Sequence, residues 1–330
     1  MNNRSYIRSI SQYGIVIFLI FLSLYFAHAT DGIFLSARNI QNVSRQIAIN
    51  TILAVGLTFV IISGGIDLSV GSVVALAGVI SMRVLRDGLI IGDTLLLAPF
   101  PIRTAIVFSV FVALAVGAVL GAFNGFVVTV FRVAPFVATL AMMTIARGLA
   151  YVYTDGRPIS PLPREVGDFG ASAIPHTGMP TLVFIALLVA ALGHLILSRS
   201  SFGRYVYAIG GNEEAARLSG INIRRVKLWI YSLCGMLAGL GGMLLATRIA
   251  SGDPKSGAMF ELNAIAAAVL GGTSLMGGRG TIIGTLIGAL VIGVLDNGLI
   301  LLGVSAFYQM VAKGFVILGA VILDQFTRGT

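Results

Sequence analysis

Apolar runs recur along almost the whole chain, at 13–29, 47–63, 68–82, 104–131, 135–153, 181–198, 228–247, 262–275, 281–302 and 306–323. A helix needs roughly 20 apolar residues to cross the hydrocarbon core of a bilayer, and these runs are of about that size, although 68–82 and 262–275 are short. Lipid offers the backbone no hydrogen-bonding partner, so only helices and closed barrels cross it. The runs lack the strict apolar–polar alternation of barrel strands. The expectation is an all-α polytopic membrane protein with about ten transmembrane helices, forming a single transmembrane domain over 1–330. Charge content agrees, since 11% of the residues are charged against about 25% in soluble domains.

The formal charge of +9 comes from basic residues clustered between apolar runs, with no aromatic interleaving on a polar face, so nucleic acid is not the expected partner. Cys234 is the single cysteine and lies inside an apolar run, which excludes a disulfide framework and a cysteine-based metal site. His28, His176 and His194 are far apart, so no metal is expected. No G-x-x-x-x-G-K-[ST] phosphate cradle and no nucleophile-elbow pattern occurs. The run Gly278-Arg-Gly280-Thr-Ile-Ile-Gly284 is one residue too long for a dinucleotide fingerprint. Nothing points to catalysis or to a cofactor bound by this chain. Arg4 and Arg8 precede the run 13–29 as in a secretory signal, but His28 and Asp31 make a poor cleavage site, so that run is read as the first helix.

One stretch breaks the apolar pattern. Residues 199–227 carry six Lys or Arg and two adjacent Glu. Asn212 suits a helix N-cap, Glu213 and Glu214 suit the positive end of the helix dipole, and Gly220 suits a helix stop. Glu213 and Arg217 have a stabilising i,i+4 spacing. Ala215 and Ala216 would leave a small-residue face open to close approach by another protein. Basic density of this kind favours the cytoplasmic side, which places both termini inside and the proline-rich 154–180 loop outside.

Three motifs, GGIDLSVGS at 64–72, GGNEEAARLSGIN at 210–222 and AVLGGTSLMGGRGTIIGTLIGAL at 268–290, occur in this order. With them the chain, from about 39 to 323, resembles the permeases of bacterial ABC sugar importers, of the ribose, xylose, arabinose and galactoside type. The resemblance implies the ABC importer permease fold, residence in the bacterial inner membrane, a monosaccharide cargo (ribose favoured), and a second permease copy forming a homodimer. It further implies a cytoplasmic ATP-binding subunit that holds ATP and Mg, and a periplasmic sugar-binding protein. The segment 199–227 becomes the coupling segment, with Asn212, Glu213, Glu214, Ala215, Ala216, Arg217, Leu218 and Gly220 as its docking helix.

Faint internal matches suggest two inverted five-helix halves, about 1–153 and 181–323. Gly64-Gly65-x-x-Leu68-x-x-Gly71 matches Gly271-Gly272-x-x-Leu275-x-x-Gly278, and Gly117-x-x-x-Gly121 matches Gly284-x-x-x-Gly288. Val133-x-x-Phe136 likewise matches Val304-x-x-Phe307.

Asp67 is read either as a gate or sugar contact, being ionisable at membrane depth, or as the N-cap of the helix that follows. Gly64, Gly65, Ser69, Asn124, Asn263, Thr273, Ser274 and Asn297 are further gate or pathway candidates; interhelical hydrogen bonds account for the polar ones equally well. Asp296 and Lys313 fall at similar depth on consecutive antiparallel spans, which predicts an ion pair between them. Arg147 is expected to snorkel to the outer surface. The glycine runs 117/121/125, 235/239 and 284/288 serve intrachain packing or a dimer seam. The rival class is an ion- or proton-coupled secondary transporter, with Asp67, Asp296 and Lys313 as coupling groups.

Overall fold

The computed structural model describes residues 3–91, 94–97 and 100–326. Thirteen helices follow one another among them, interrupted by one short hairpin. They are α1 (Asn3–Ala29), α2 (Ala37–Ile62), α3 (Val70–Asp87), α4 (Ile102–Val130), α5 (Pro135–Thr154), α6 (Arg164–Ala171) and α7 (Thr181–Arg199). After these come α8 (Ser201–Gly211), α9 (Glu213–Leu218), α10 (Ile223–Ile249), α11 (Phe260–Leu270), α12 (Ile282–Leu301) and α13 (Ala306–Phe326). Six of them, α2, α4, α5, α7, α10 and α12, are long and apolar enough to cross a membrane.

Several boundaries differ from the sequence expectation for physical reasons. Helix α2 starts at Ala37, well ahead of the apolar run 47–63, because the Ser36 side chain accepts from Asn39 N and nucleates it early. The connection between α3 and α4 holds a two-stranded antiparallel hairpin, β1 (Leu89–Ile91) and β2 (Thr94–Leu97). The 154–180 loop contains α6, whose Val166 is fully buried.

Helix α10 is the axis of the molecule, packing against α2, α3 and α4. Glycine makes this possible. A Cβ on Gly235 or Gly239 would strike the α4 carbonyls of Gly117 and Ala113, and one on Gly242 would strike the Val74 carbonyl of α3. Gly56 of α2 lies against Cys234, where a Cβ would stand 3.1 Å from its Cα. Gly284 and Gly288 of α12 seat in the same manner on Gly271 and Ala267. All three small-residue runs are therefore intrachain seams, where close backbone approach supplies the van der Waals contact that holds helices together in lipid. Outside this core, α4, α5 and α7 expose large apolar side chains such as Phe111, Val119, Val152 and Leu195, as a lipid-facing surface does.

The chain between α10 and α11 leaves helical geometry. Ala250 closes α10 with φ 50°, and the segment then runs back along α3. Gly252 lies against Val79 and Met82, whereas Gly257 lies against Gly71 and Val74. From Met82 to Gly71 is roughly 16 Å at 1.5 Å per residue, so α11 begins well inside the bundle. Gly271-Gly272 ends α11 and so breaks the short span 262–275, and the unwound stretch before Phe260 is a second break at the opposite end. Unwound backbone at that depth needs internal partners, and Arg147 supplies them. Its Nη1 donates to the carbonyls of Pro254 and Ser256, both at 2.7 Å, and Nη2 reaches the Gly71 carbonyl at 3.4 Å. Arg147 is thus turned inward as a staple rather than snorkelling outward.

Candidate functional site

Helix α9 forms for the reasons its sequence supplies. Asn212 Oδ1 accepts from Ala215 N at 2.9 Å, and Gly220, with φ 85°, lets Ile221 N return to the Ala216 carbonyl at 3.1 Å. The charges pair differently from the i,i+4 expectation. Arg217 bonds Glu214 at 2.6 Å, while Glu213 receives Lys227 from α10 at 2.6 Å. That second contact ties α9 to the long central helix α10. Glu214 also holds the exposed Arg217 guanidinium above its ordinary pKa, through the hydrogen bond first and the charge second. Ala216 is buried against the protein, so the expected open alanine face is Ala215 alone, and the outward apolar group is Leu218, 80% exposed.

Helix α8 connects α9 to the bundle. Ser200 caps it, accepting from Gly203 N at 3.0 Å, and Val206 and Ile209 are buried. Tyr207 Oη donates to the Gly280 carbonyl at 2.7 Å. A Cβ on Gly210 would collide with the Ile62 carbonyl and stand 2.6 Å from Gly278 N. Gly278 N itself donates to the Ile62 carbonyl at 2.8 Å. The last turn of α2, the 271–280 loop and the end of α8 therefore meet backbone to backbone.

The two Gly-Gly turns have the same closing geometry. Gly64 and Gly65 bond back to Ile61 and Val60, as Gly272 and Thr273 do to Val269 and Ala268, and Gly64 and Gly272 have φ 79° and 83°. The structural correspondence is one residue off the sequence match. The two turns also lie near each other, since Gly278 N bonds the Ile62 carbonyl.

Above the first turn lies a buried polar cluster. Asp67 is 1% exposed and accepts from Ser69 N at 2.9 Å and Ser69 Oγ at 2.6 Å. Asn124 Nδ2 donates to Ser69 Oγ at 3.0 Å. Thr139 Oγ1 donates to the Ile66 carbonyl at 3.1 Å and accepts from Leu68 N at 3.2 Å, holding the strand between α2 and α3. Asp67 is not the N-cap: Ser69 occupies that position without a side-chain cap. Tyr231 Oη, beside Gly65, is buried and unpartnered.

The remaining candidates lie elsewhere. Asn263 is buried in α11, and Thr273 Oγ1 is buried without a hydrogen bond beside Gly280. Ser274 N donates to the Arg279 carbonyl at 2.9 Å inside the 271–280 loop. Asn297 exchanges amide bonds of 2.9 and 3.0 Å with Asn39, tying α12 to α2. At the preceding residue, Lys313 Nζ stands 2.9 Å from Asp296 Oδ1, with the carboxylate side chain only 5% exposed. The two side chains form an ion pair between α12 and α13. Asp296→Asn leaves a half-buried ammonium unpaired and is expected to lower stability by about 3–5 kcal/mol, with the Asp296→Asn/Lys313→Met double variant recovering most of it. Equal losses of folded protein from the single and double variants would exclude the pair as a stabilising contact.

A family model described as a branched-chain amino acid transport system permease component matches residues 39–321. The chain belongs to this permease family. Among the permease's relatives, the ribose import permease protein RbsC of Escherichia coli (strain K12) is 46% identical over 293 residues, covering 88% of this chain and 87% of its own. RbsC of Bacillus subtilis (strain 168) is 47% identical over 292 residues, covering 88% and 86%. The xylose transport system permease protein XylH of Escherichia coli (strain K12) is 36% identical over 369 residues, covering 94% and 90%. No solved structure matches the permease. A multi-pass membrane protein is what both the family and the apolar helices require.

Proposed function

We propose that this permease is the membrane-spanning subunit of an ATP-driven monosaccharide importer, with ribose as cargo. The observation that carries the reading is 46% identity to a ribose import permease over 88% of the chain. ATP and Mg belong to a separate cytoplasmic subunit docked on residues 212–220, and a periplasmic sugar-binding protein delivers the cargo to the opposite face. Two permease copies form the pathway in the inner membrane, with both termini inside.

In this reading the spans number ten: α1 to α5, α7, and α10 to α13. The five-plus-five inverted arrangement rests on the internal matches, Gly64/Gly65/Leu68/Gly71 with Gly271/Gly272/Leu275/Gly278, Gly117/Gly121 with Gly284/Gly288 and Val133/Phe136 with Val304/Phe307. Helix α9 offers its partner an exposed Leu218 beside the Glu214–Arg217 pair. An apolar anchor ringed by charge is a common form of protein contact. Closure of the ATP-binding subunits would move α9, and α8 would carry that motion to the α2 terminus and the 271–280 loop.

The test is uptake of labelled ribose into vesicles holding the permease, its ATP-binding subunit and the sugar-binding protein. ATP-dependent uptake that survives an uncoupler supports the proposal; uptake that collapses with the proton gradient and ignores ATP overturns it. In the same vesicles Leu218→Asp is expected to cut uptake and sugar-stimulated ATP hydrolysis by roughly tenfold or more, the size of a lost interface anchor. The permease's own thermal stability should stay nearly unchanged, because Leu218 is 80% exposed. Normal hydrolysis and uptake in that variant would remove α9 as the docking element.

A further inference from the structure

A second polar site lies at the other end of the bundle from α9. A cavity of about 450 Å³ is lined there by Asn42 and Arg45 of α2, Gly170 and Ala171 of α6, and Arg248 and Ile249 of α10. Arg45 and Arg248 are close enough to repel each other. Neither guanidinium takes part in an ion pair among the described residues. Arg45 spends one Nη2 bond, 2.8 Å long, on the Ala171 carbonyl, while its Nε is buried with no partner at all.

Two converging cations without a carboxylate, one with a buried donor left unused, is an unfavourable arrangement for a site that stays empty. Both residues come from helices long and apolar enough to span the bilayer, Arg248 in the last turn of α10 and Arg45 just ahead of the apolar run 47–63 of α2. That position brings the pocket to the level where lipid headgroups lie. Guanidinium forks match the oxygens of a phosphate, and the cavity is far larger than a single carboxylate needs. Ile249 and Ala171 give it an apolar wall beside the cationic one.

We propose that this pocket binds a phosphate group, supplied by the headgroup of an anionic phospholipid. The oxygens bridge Arg45 and Arg248, Arg45 Nε gains its acceptor, and Asn42 lies within the wall that meets the remainder of the headgroup. The bound lipid cancels the repulsion between the arginines and fastens α6 to the ends of α2 and α10.

The experiment uses the purified full-length permease in nanodiscs of phosphatidylcholine alone, or of phosphatidylcholine with phosphatidylglycerol. Bound lipid is counted by native mass spectrometry and stability is followed by thermal unfolding. Phosphatidylglycerol should raise the melting temperature of the wild type and remain bound. Arg248→Gln should bind it roughly tenfold more weakly, the loss expected for one charge-assisted contact. In phosphatidylcholine alone that variant should be no less stable than the wild type, since it removes a repulsion. Arg248→Lys, which keeps the charge and loses the fork, should fall between the two.

A parallel arm adds glycerol phosphate or inorganic phosphate to phosphatidylcholine discs. Stabilisation by free phosphate equal to that by the lipid would overturn the lipid as source. Equal phosphatidylglycerol binding by wild type and Arg248→Gln would overturn the site itself. So would protection of the two arginines from a guanidinium-modifying reagent by the sugar-binding protein but by no phosphate source, which would assign the pocket to a protein carboxylate.

Discussion

In the proposed importer, Gly210→Ala is expected to slow sugar uptake sharply while leaving the ATP-binding subunit attached. The added methyl would overlap the Ile62 carbonyl oxygen and stand 2.6 Å from Gly278 N, and both neighbours are backbone. No flexible side chain can yield, so either α8 or the α2 terminus must shift. Overpacking of that kind costs about 1–3 kcal/mol, which corresponds to roughly tenfold or more in the population of the aligned junction. The proposed docking surface, Leu218 with Glu214 and Arg217, is not touched by the change. The expected signature is copurification of the ATP-binding subunit at the wild-type level with at least about tenfold slower uptake in vesicles. Wild-type uptake in a folded Gly210→Ala protein would show that the proposed transmission does not pass through this joint.

The second large effect concerns folding. Arg147→Met keeps an unbranched apolar stem but removes the donors that bond the Pro254 and Ser256 carbonyls at 2.7 Å. Hydrogen bonds from a charged group contribute about 1.5–3 kcal/mol each, and the vacated carbonyls are left short of partners. Loss of about 3 kcal/mol or more is expected, read as a fall in melting temperature and in folded protein recovered from membranes. The segment 250–259 should at the same time become accessible to proteases or to cysteine-directed labels introduced at Ser256. A variant with unchanged stability and unchanged labelling would show that the unwound segment is held by its neighbours without the staple.

These two residues also mark where sequence reading stops. The ends of α5 and α7 were legible because proline sits at or just before the first turn, at Pro135 and Pro180. Helix α9 was legible because a capping asparagine and a positive-φ glycine bracket it, at Asn212 and Gly220. Gly210 and Tyr207 went unnoticed as a joint, since their partners Ile62 and Gly280 are distant in sequence and both contacts use backbone carbonyls. A Gly-Gly pair directly before the Asn212 cap, repeating the two other Gly-Gly turns, was the available signal. Arg147 was misread for a related reason: its acceptors are main-chain groups of a segment whose unwinding no local pattern announces. Asp67 failed as a cap because the turn places its carboxylate two residues too early, on Ser69. The partner of Glu213 lies fourteen residues away on α10, beyond any spacing rule for a single helix.

Helix α11 has 11 residues, enough for about 16 Å of rise against a hydrocarbon thickness of about 30 Å. Such a piece cannot be recognised and released into lipid by itself during synthesis. It must wait until the flanking α10 and α12 are in place and then be drawn between them, so the biogenesis of this protein has an obligatory late step. Defects in that step would appear as chains that are inserted yet misassembled, and quality-control proteolysis in the membrane would meet them there.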